Sequence, residues 1–168
     1  MENVTGLLRV RVVRGVNLAK RDAGDSDAYV VVLMGDQKLK TNVKKNSLNP
    51  EWNEDLNFCV SDPTQPLKID LQEIYDKDTL TQDDKMGDAE LDIQQFMEAV
   101  KMGLADLPNG FVIETMRPSQ QNCLAGDSII TSKDGTIAQD VVLQLRNVES
   151  GKVELQLLWL SVPCAPNF

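Results

Sequence analysis

The stretch AYVVVLMGDQKLKTNVKK, residues 28–45, decides how the chain folds. Its first half is apolar and rich in β-branched residues, the composition of a strand that sits against a core. Gly-Asp-Gln then turns the chain, and in the second half Lys38, Lys40 and Lys44 fall where a returning strand faces water. The reading is a β-hairpin, and with it a fold built on antiparallel pairing.

Outward from this hairpin the same signal recurs. In LLRVRVV, residues 7–13, Leu8, Val10 and Val12 share one face and Arg9 and Arg11 lie on the other, as a half-buried strand requires. NSLNPEWNE, residues 46–54, has the Asn, Ser and Pro of a loop, after which DLNFCV resumes strand character and LKIDLQEIY follows the SDPTQP turn. Farther on, SIITSKDGTIAQDVVLQLRNV and KVELQLLWLSV read as strands joined by KDG and ESGK turns, with Val153, Leu155, Leu157 and Trp159 alternating in a last strand that closes the sheet. One segment departs from this pattern. Ile93, Phe96, Met97, Val100, Leu104 and Leu107 keep a period of 3.6, which predicts a helix over 93–105, capped by Asp92, weakened by Gly103 and ended by Pro108, its apolar stripe packed on the sheet. Short strands with turn chemistry between them predict an all-β antiparallel sandwich.

The chain has 168 residues, 42% hydrophobic and 26% charged, which suits one globular domain. A net charge of −9 argues against nucleic acid, whose phosphates are held by clustered Lys and Arg. The chain has no histidine, which removes Ser-His-Asp and Cys-His catalysis and the commonest zinc ligand. Cys59, Cys123 and Cys164 are odd in number and far apart, so they read as free thiols. With no run of eighteen apolar residues and no leader-like N-terminus, the expectation is a cytoplasmic, peripheral protein.

Chemistry gathers in two acidic stretches. YDKDTLTQDDKMGD, residues 75–88, holds Asp76, Asp78, Asp83, Asp84 and Asp88, and NLAKRDAGDSD holds Asp22, Asp25 and Asp27. Counting strand passes, both follow a strand running the same way, so they emerge at one end of the sandwich together with the loop around KKNSLNPEWN. Crowded carboxylates repel unless a cation neutralises them. Ca²⁺, which takes six to eight oxygen ligands in flexible geometry, suits such a set better than Mg²⁺. A single EF-hand loop fails, because counting from Asp76 puts Thr81 at the glycine position and Gly87 at the glutamate position.

RD-x4-D-AYV, LNPEWNE and YDKD-x5-DD-KMG, in that order, resemble the C2 domain. With VVLMGDQKLKT, PSQQNCLA and QDVVLQLRNVESGKVELQLLWL added, the whole chain is similar to the plant C2-domain abscisic-acid-related family. The resemblance implies a single C2 domain over 1–168, an eight-stranded antiparallel sandwich with a helix-plus-hairpin insertion at about 93–137. It implies calcium ligands at Asp22, Asp27, Asp76, Asp78 and Asp84, with backbone carbonyls from Arg21 and Lys77. It further implies calcium-dependent binding to anionic phospholipid, recruitment of abscisic-acid receptors to the plasma membrane, a GTPase-activating role toward a small GTPase in some members, and a nuclear location beside the membrane one. The chain is expected to be a monomer and not itself an enzyme, with an interaction adaptor or GTPase regulator of calcium-independent membrane binding as the alternative.

Three departures carry expectations. Ala28 replaces the usual proline after the first loop. LKIDLQEIYD is about three residues longer than the usual lead-in, which predicts a bulge or a shifted register before Asp76. Leu80 stands at the loop tip where an aromatic is common, a modest membrane anchor. Lys38, Lys40, Lys44 and Lys45 are the candidate grip on an anionic head group.

Overall fold

The computed structural model describes residues 6–19, 27–45, 47–74, 84–103 and 107–164, with Asp84 described by its backbone alone. Among them run ten strands and one helix: β1 Leu7–Val16, β2 Ala28–Met34, β3 Gln37–Lys40, β4 Glu51–Cys59, β5 Leu67–Glu73, β6 Asp84–Leu91, α1 Gln94–Lys101, β7 Val112–Met116, β8 Ser128–Lys133, β9 Thr136–Gln144 and β10 Lys152–Leu160. They form two antiparallel sheets, ordered β4-β1-β10-β9-β8-β7 and β3-β2-β5-β6.

The core lies between the sheets and is built by alternation. Leu8, Val10 and Val12 of β1, Val30 and Val32 of β2, Phe58 of β4 and Ile69 and Leu71 of β5 are fully buried in one cluster. β10 does not close an edge; it sits between β1 and β9, and its inward residues Val153, Leu155, Leu157 and Trp159 are all buried. The helix-and-hairpin insertion is present: α1 sends Phe96 and Met97 into the core, and β7 and β8 extend the larger sheet past β9.

The helix is shorter than its periodicity suggests. Asp92 Oδ1 accepts the Gln94 backbone N–H at 2.8 Å, so the carboxylate caps the first turn from one residue before Ile93. At the other end Gly103 takes φ 64 and donates to Val100 O, a left-handed stop that a residue with Cβ adopts poorly.

Two further expectations change. β4 begins at Glu51, not after Glu54, because Trp52 turns inward and Asn53, at φ 48, absorbs a register shift against β1 inside the strand. The three cysteines are not all free: Cys59 and Cys164 are joined as a disulfide, and Cys123 alone is a buried thiol. Sequence spacing hid this pair, since 105 residues separate its members.

Candidate functional site

The two acidic stretches leave neighbouring strands. β2 pairs with β5 from Leu33↔Lys68 to Ala28↔Glu73 without a register shift, and Ile74 N donates to Asp27 O at 3.0 Å. On its other side β5 pairs with β6, where Glu73 lies opposite Asp84. Asp27 and Asp84 therefore flank the end of β5 from its two sides, at the end of the smaller sheet from which the 75–83 segment departs. Arg21, Asp22, Asp76, Lys77, Asp78 and Leu80 lie outside the described residues, as do Asp25, Thr81 and Asp83.

The expected bulge before Asp76 is not in β5 against β2. The irregularity is in β6, where Lys85 pairs with Gln72 and Asp88 with Asp70, three steps against two. Gly87 makes it feasible: it takes φ 127, and a Cβ there would come within 2.8 Å of Val148 Cγ1. Up to Ile74 the lead-in is regular strand, so the extra residues are not absorbed before that point.

Sequence reasoning identified three loops at this end and missed a fourth. The β9–β10 connection, 145–151, emerges here too, and strand counting applied to that hairpin would have found it. Ser150 Oγ donates to Asn17 O at 3.1 Å, tying it to the start of the first acidic loop. Its main anchor is Asp88, which is buried in β6. Asp88 Oδ1 accepts from Arg146 Nε at 3.0 Å and Nη2 at 2.8 Å; Oδ2 accepts from Asn147 Nδ2 at 2.9 Å and lies 3.3 Å from Lys85 Nζ. Two backbone hydrogen bonds between Asp88 and Arg146 complete the clasp.

Burial works against the Asp88 charge, but the hydrogen bonds from Asn147, Arg146 and Lys85 outweigh it and hold the carboxyl below its ordinary pKa. Lys85, whose charge burial also opposes, is held above its ordinary value by Asp70 and Asp88. Asp88→Ala is expected to cost about 2 kcal/mol, read from urea unfolding, because it leaves Arg146 and Lys85 without their shared acceptor. Folding lowers this pKa, so the stabilisation is complete above the unfolded value of about 3.9 and is lost as pH falls through the folded one. The stability gap between wild type and Asp88→Ala therefore closes below about pH 4.

The lysines divide into two groups. Lys38 and Lys40 are exposed on β3, on the outer face of the smaller sheet. Lys44 is half-buried and bridges Ala28 through its backbone, and Lys45 is exposed beside it, nearer the acidic end. The outer face also carries two residues that sequence reasoning did not single out. Lys68 of β5 is exposed, opposite Leu33 of β2. Tyr29 lies under Lys40, whose Nζ is 5.9 Å from the ring centroid, and donates through its hydroxyl to Gln72 Oε1 at 2.8 Å. Shallow cavities of about 260 and 240 Å³ border Tyr29 and Lys40.

A two-sheet sandwich with paired acidic loops at one end is matched by the family model of the C2 domain over residues 6–107. The chain belongs to the C2-domain family. Within that family its curated relatives include protein C2-domain ABA-related 5 of Arabidopsis thaliana, 54% identical over 97% of this C2 domain and 80% of the relative. A GTPase activating protein 1 of Oryza sativa subsp. indica is 51% identical over 96% of this chain and 95% of its own. Among solved structures, a C2 domain of plant extended synaptotagmin 1 superposes with a TM-score of 0.59 at 26% identity, covering 99% of this chain and all of the other. The relatives are thus named as abscisic-acid-related or GTPase-regulating C2 proteins.

Calcium is the ion that a C2 domain with acidic loops implies, and the donor chemistry here fits it. The residues at this end offer carboxylates and backbone carbonyls, an all-oxygen set suited to a hard cation. The disulfide sulfurs are at the far end of the sandwich, where β4 and β10 finish. Among the described residues no three acidic or sulfur side chains gather on their own. A complete cage needs Asp22, Asp76 and Asp78 to join Asp27 and Asp84.

Proposed function

We propose that this C2 domain docks to anionic phospholipid surfaces in response to Ca²⁺, using Asp22, Asp27, Asp76, Asp78 and Asp84 with the carbonyls of Arg21 and Lys77. The observation that carries this reading is the unbroken β2–β5 ladder, which sets Asp27 beside the root of the 75–83 segment. Bound there, the ion supplies positive charge and open coordination positions for lipid phosphate oxygens.

The chain's own residues do the rest. Without the ion, five carboxylates face the membrane and are repelled by anionic lipid; two divalent ions would reduce that charge to −1. Leu80 offers apolar area to the acyl boundary, and Lys38, Lys40, Lys44 and Lys45 attract an anionic head group, each worth about 1 kcal/mol near the surface. The Lys40–Tyr29 stack pre-positions one of them. The location that follows is the cytoplasmic face of the plasma membrane, with the nucleus as a second compartment. Co-sedimentation with phosphatidylserine vesicles tests the proposal: pelleting in Ca²⁺ and none in EGTA is expected, and equal pelleting in both sinks it.

A second reading, an adaptor for an abscisic-acid receptor or a small GTPase, is favoured by the relatives' names and by the β7–β8 hairpin. Phe111, Val112 and Ile129 are exposed there, and Arg117 projects beyond β7 into solvent. Arg146, the other arginine of this region of the sequence, is committed to Asp88 and is unsuited to serve a GTPase in trans. Arg117→Ala is therefore expected to lower any stimulation of a GTPase by tenfold or more, on the order of what a lost arginine contact costs. Unchanged stimulation in a turnover assay rules Arg117 out.

A further inference from the structure

Cys59 and Cys164 meet across the middle of a sheet. Their Cα atoms are 5.7 Å apart, within the range a disulfide spans. Cys59 ends β4 and Cys164 follows the end of β10, while β1 runs between those strands. Leu7, at the start of β1, pairs with Cys59 on one side and Leu160 on the other. The link therefore crosses over the first residue of β1, at the end of the sandwich opposite the acidic loops.

The two cysteines are held very differently. Cys59 is clamped by Gln37, whose Nε2 donates to Cys59 O at 2.7 Å and whose Oε1 accepts from Cys59 N at 2.9 Å. Cys164 arrives on Ser161, Val162 and Pro163, all exposed, after the β10 ladder has ended. Its Sγ is 3.3 Å from Gly6 O, an acceptor for the S–H when the chain is reduced. Both cysteines of the pair are half-buried and within reach of a small thiol, whereas Cys123 is buried. Opening the link thus frees a short arm and breaks no ladder pair.

We infer that Cys59 and Cys164 form a reversible thiol–disulfide site that exchanges with a glutathione-type couple. The Cys164 thiolate attacks glutathione disulfide, forming a mixed disulfide and expelling one glutathione thiolate. The Cys59 thiolate then attacks the Cys164 sulfur, forming the Cys59–Cys164 bond and expelling the second glutathione. Two protein thiols are oxidised, one glutathione disulfide is reduced to two thiols, and the two protein protons pass to the glutathione thiolates. Closing so long a loop restricts the unfolded chain, so oxidation stabilises the fold from the end away from the acidic loops. In a reducing compartment a link of this kind is transient and redox-sensing.

The test equilibrates the full chain in glutathione buffers from fully reduced to fully oxidised, quenches with iodoacetamide and maps the peptides by mass spectrometry. Alkylation of Cys59 and Cys164 is expected to fall together, with one linked peptide pair appearing and the melting temperature rising by about 5 °C or more on oxidation. Cys59→Ser and, on the exposed arm, Cys164→Ser should each remove the linked pair and the redox-dependent shift. Alkylation of both cysteines in every buffer, linkage through Cys123, or identical melting of oxidised and reduced wild type overturns the inference.

Discussion

Asparagine in place of both Asp76 and Asp78 is expected to abolish calcium-dependent pelleting with phosphatidylserine vesicles while leaving the domain folded. The reasoning is electrostatic. Carboxylate count sets calcium affinity in oxygen sites, and removing two of five charges weakens it on the order of 100-fold or more. The fold does not depend on these side chains: the core lies between the sheets, and the β2–β5 ladder that roots the loop is complete by Glu73. Crowded like charges oppose folding when no ion is bound, so in EDTA the double variant should melt at or above the wild-type temperature. Retained pelleting in Ca²⁺ would show that docking runs through some other surface.

Lys38→Glu combined with Lys40→Glu carries the second large expectation. Each lysine near an anionic surface is worth about 1 kcal/mol, and reversal adds a similar repulsion, so the pair shifts partitioning by about 4 kcal/mol, or roughly a thousandfold. Salt shrinks the effect, since the Debye length is about 8 Å at physiological ionic strength. Both side chains are exposed on β3, so stability should move by no more than about 0.5 kcal/mol. Calcium affinity without lipid should stay unchanged, which separates this variant from the aspartate pair. A double variant that pellets like wild type assigns the lysines to an ordinary solvated face.

Most of the sandwich was legible because its strands alternate plainly. Leu8, Val10 and Val12, and later Val153 through Trp159, declare an inner face, and the KDG turn matches a hairpin with Asp134 and Gly135 both at positive φ. What failed was local or long-range. Turn-forming residues in NPEWNE masked the start of β4, because a bulge at Asn53 lets loop-like sequence sit inside a ladder. The helix ran past its true end because Leu104 and Leu107 kept the period after Gly103 had stopped it. The disulfide and the Asp88–Arg146 clasp join residues 105 and 58 positions apart, and no local pattern encodes such meetings. Of the site, the pass-counting argument found which strands carry the acidic segments; Asp27 and the backbone of Asp84 flank the end of β5 as it requires. Tyr29 escaped notice because a tyrosine in a strand reads as core, and only the register shows it on the outer face beneath Lys40.

The central claim is that ion and membrane bind to the same end of the molecule and help one another. Calorimetric titration of the wild-type domain with Ca²⁺, with and without phosphatidylserine vesicles, tests it most directly, because coupled sites must strengthen each other reciprocally. The account expects heat of calcium binding in both titrations and an apparent affinity at least tenfold tighter with vesicles. No calcium heat in either, or the same affinity in both, would contradict it.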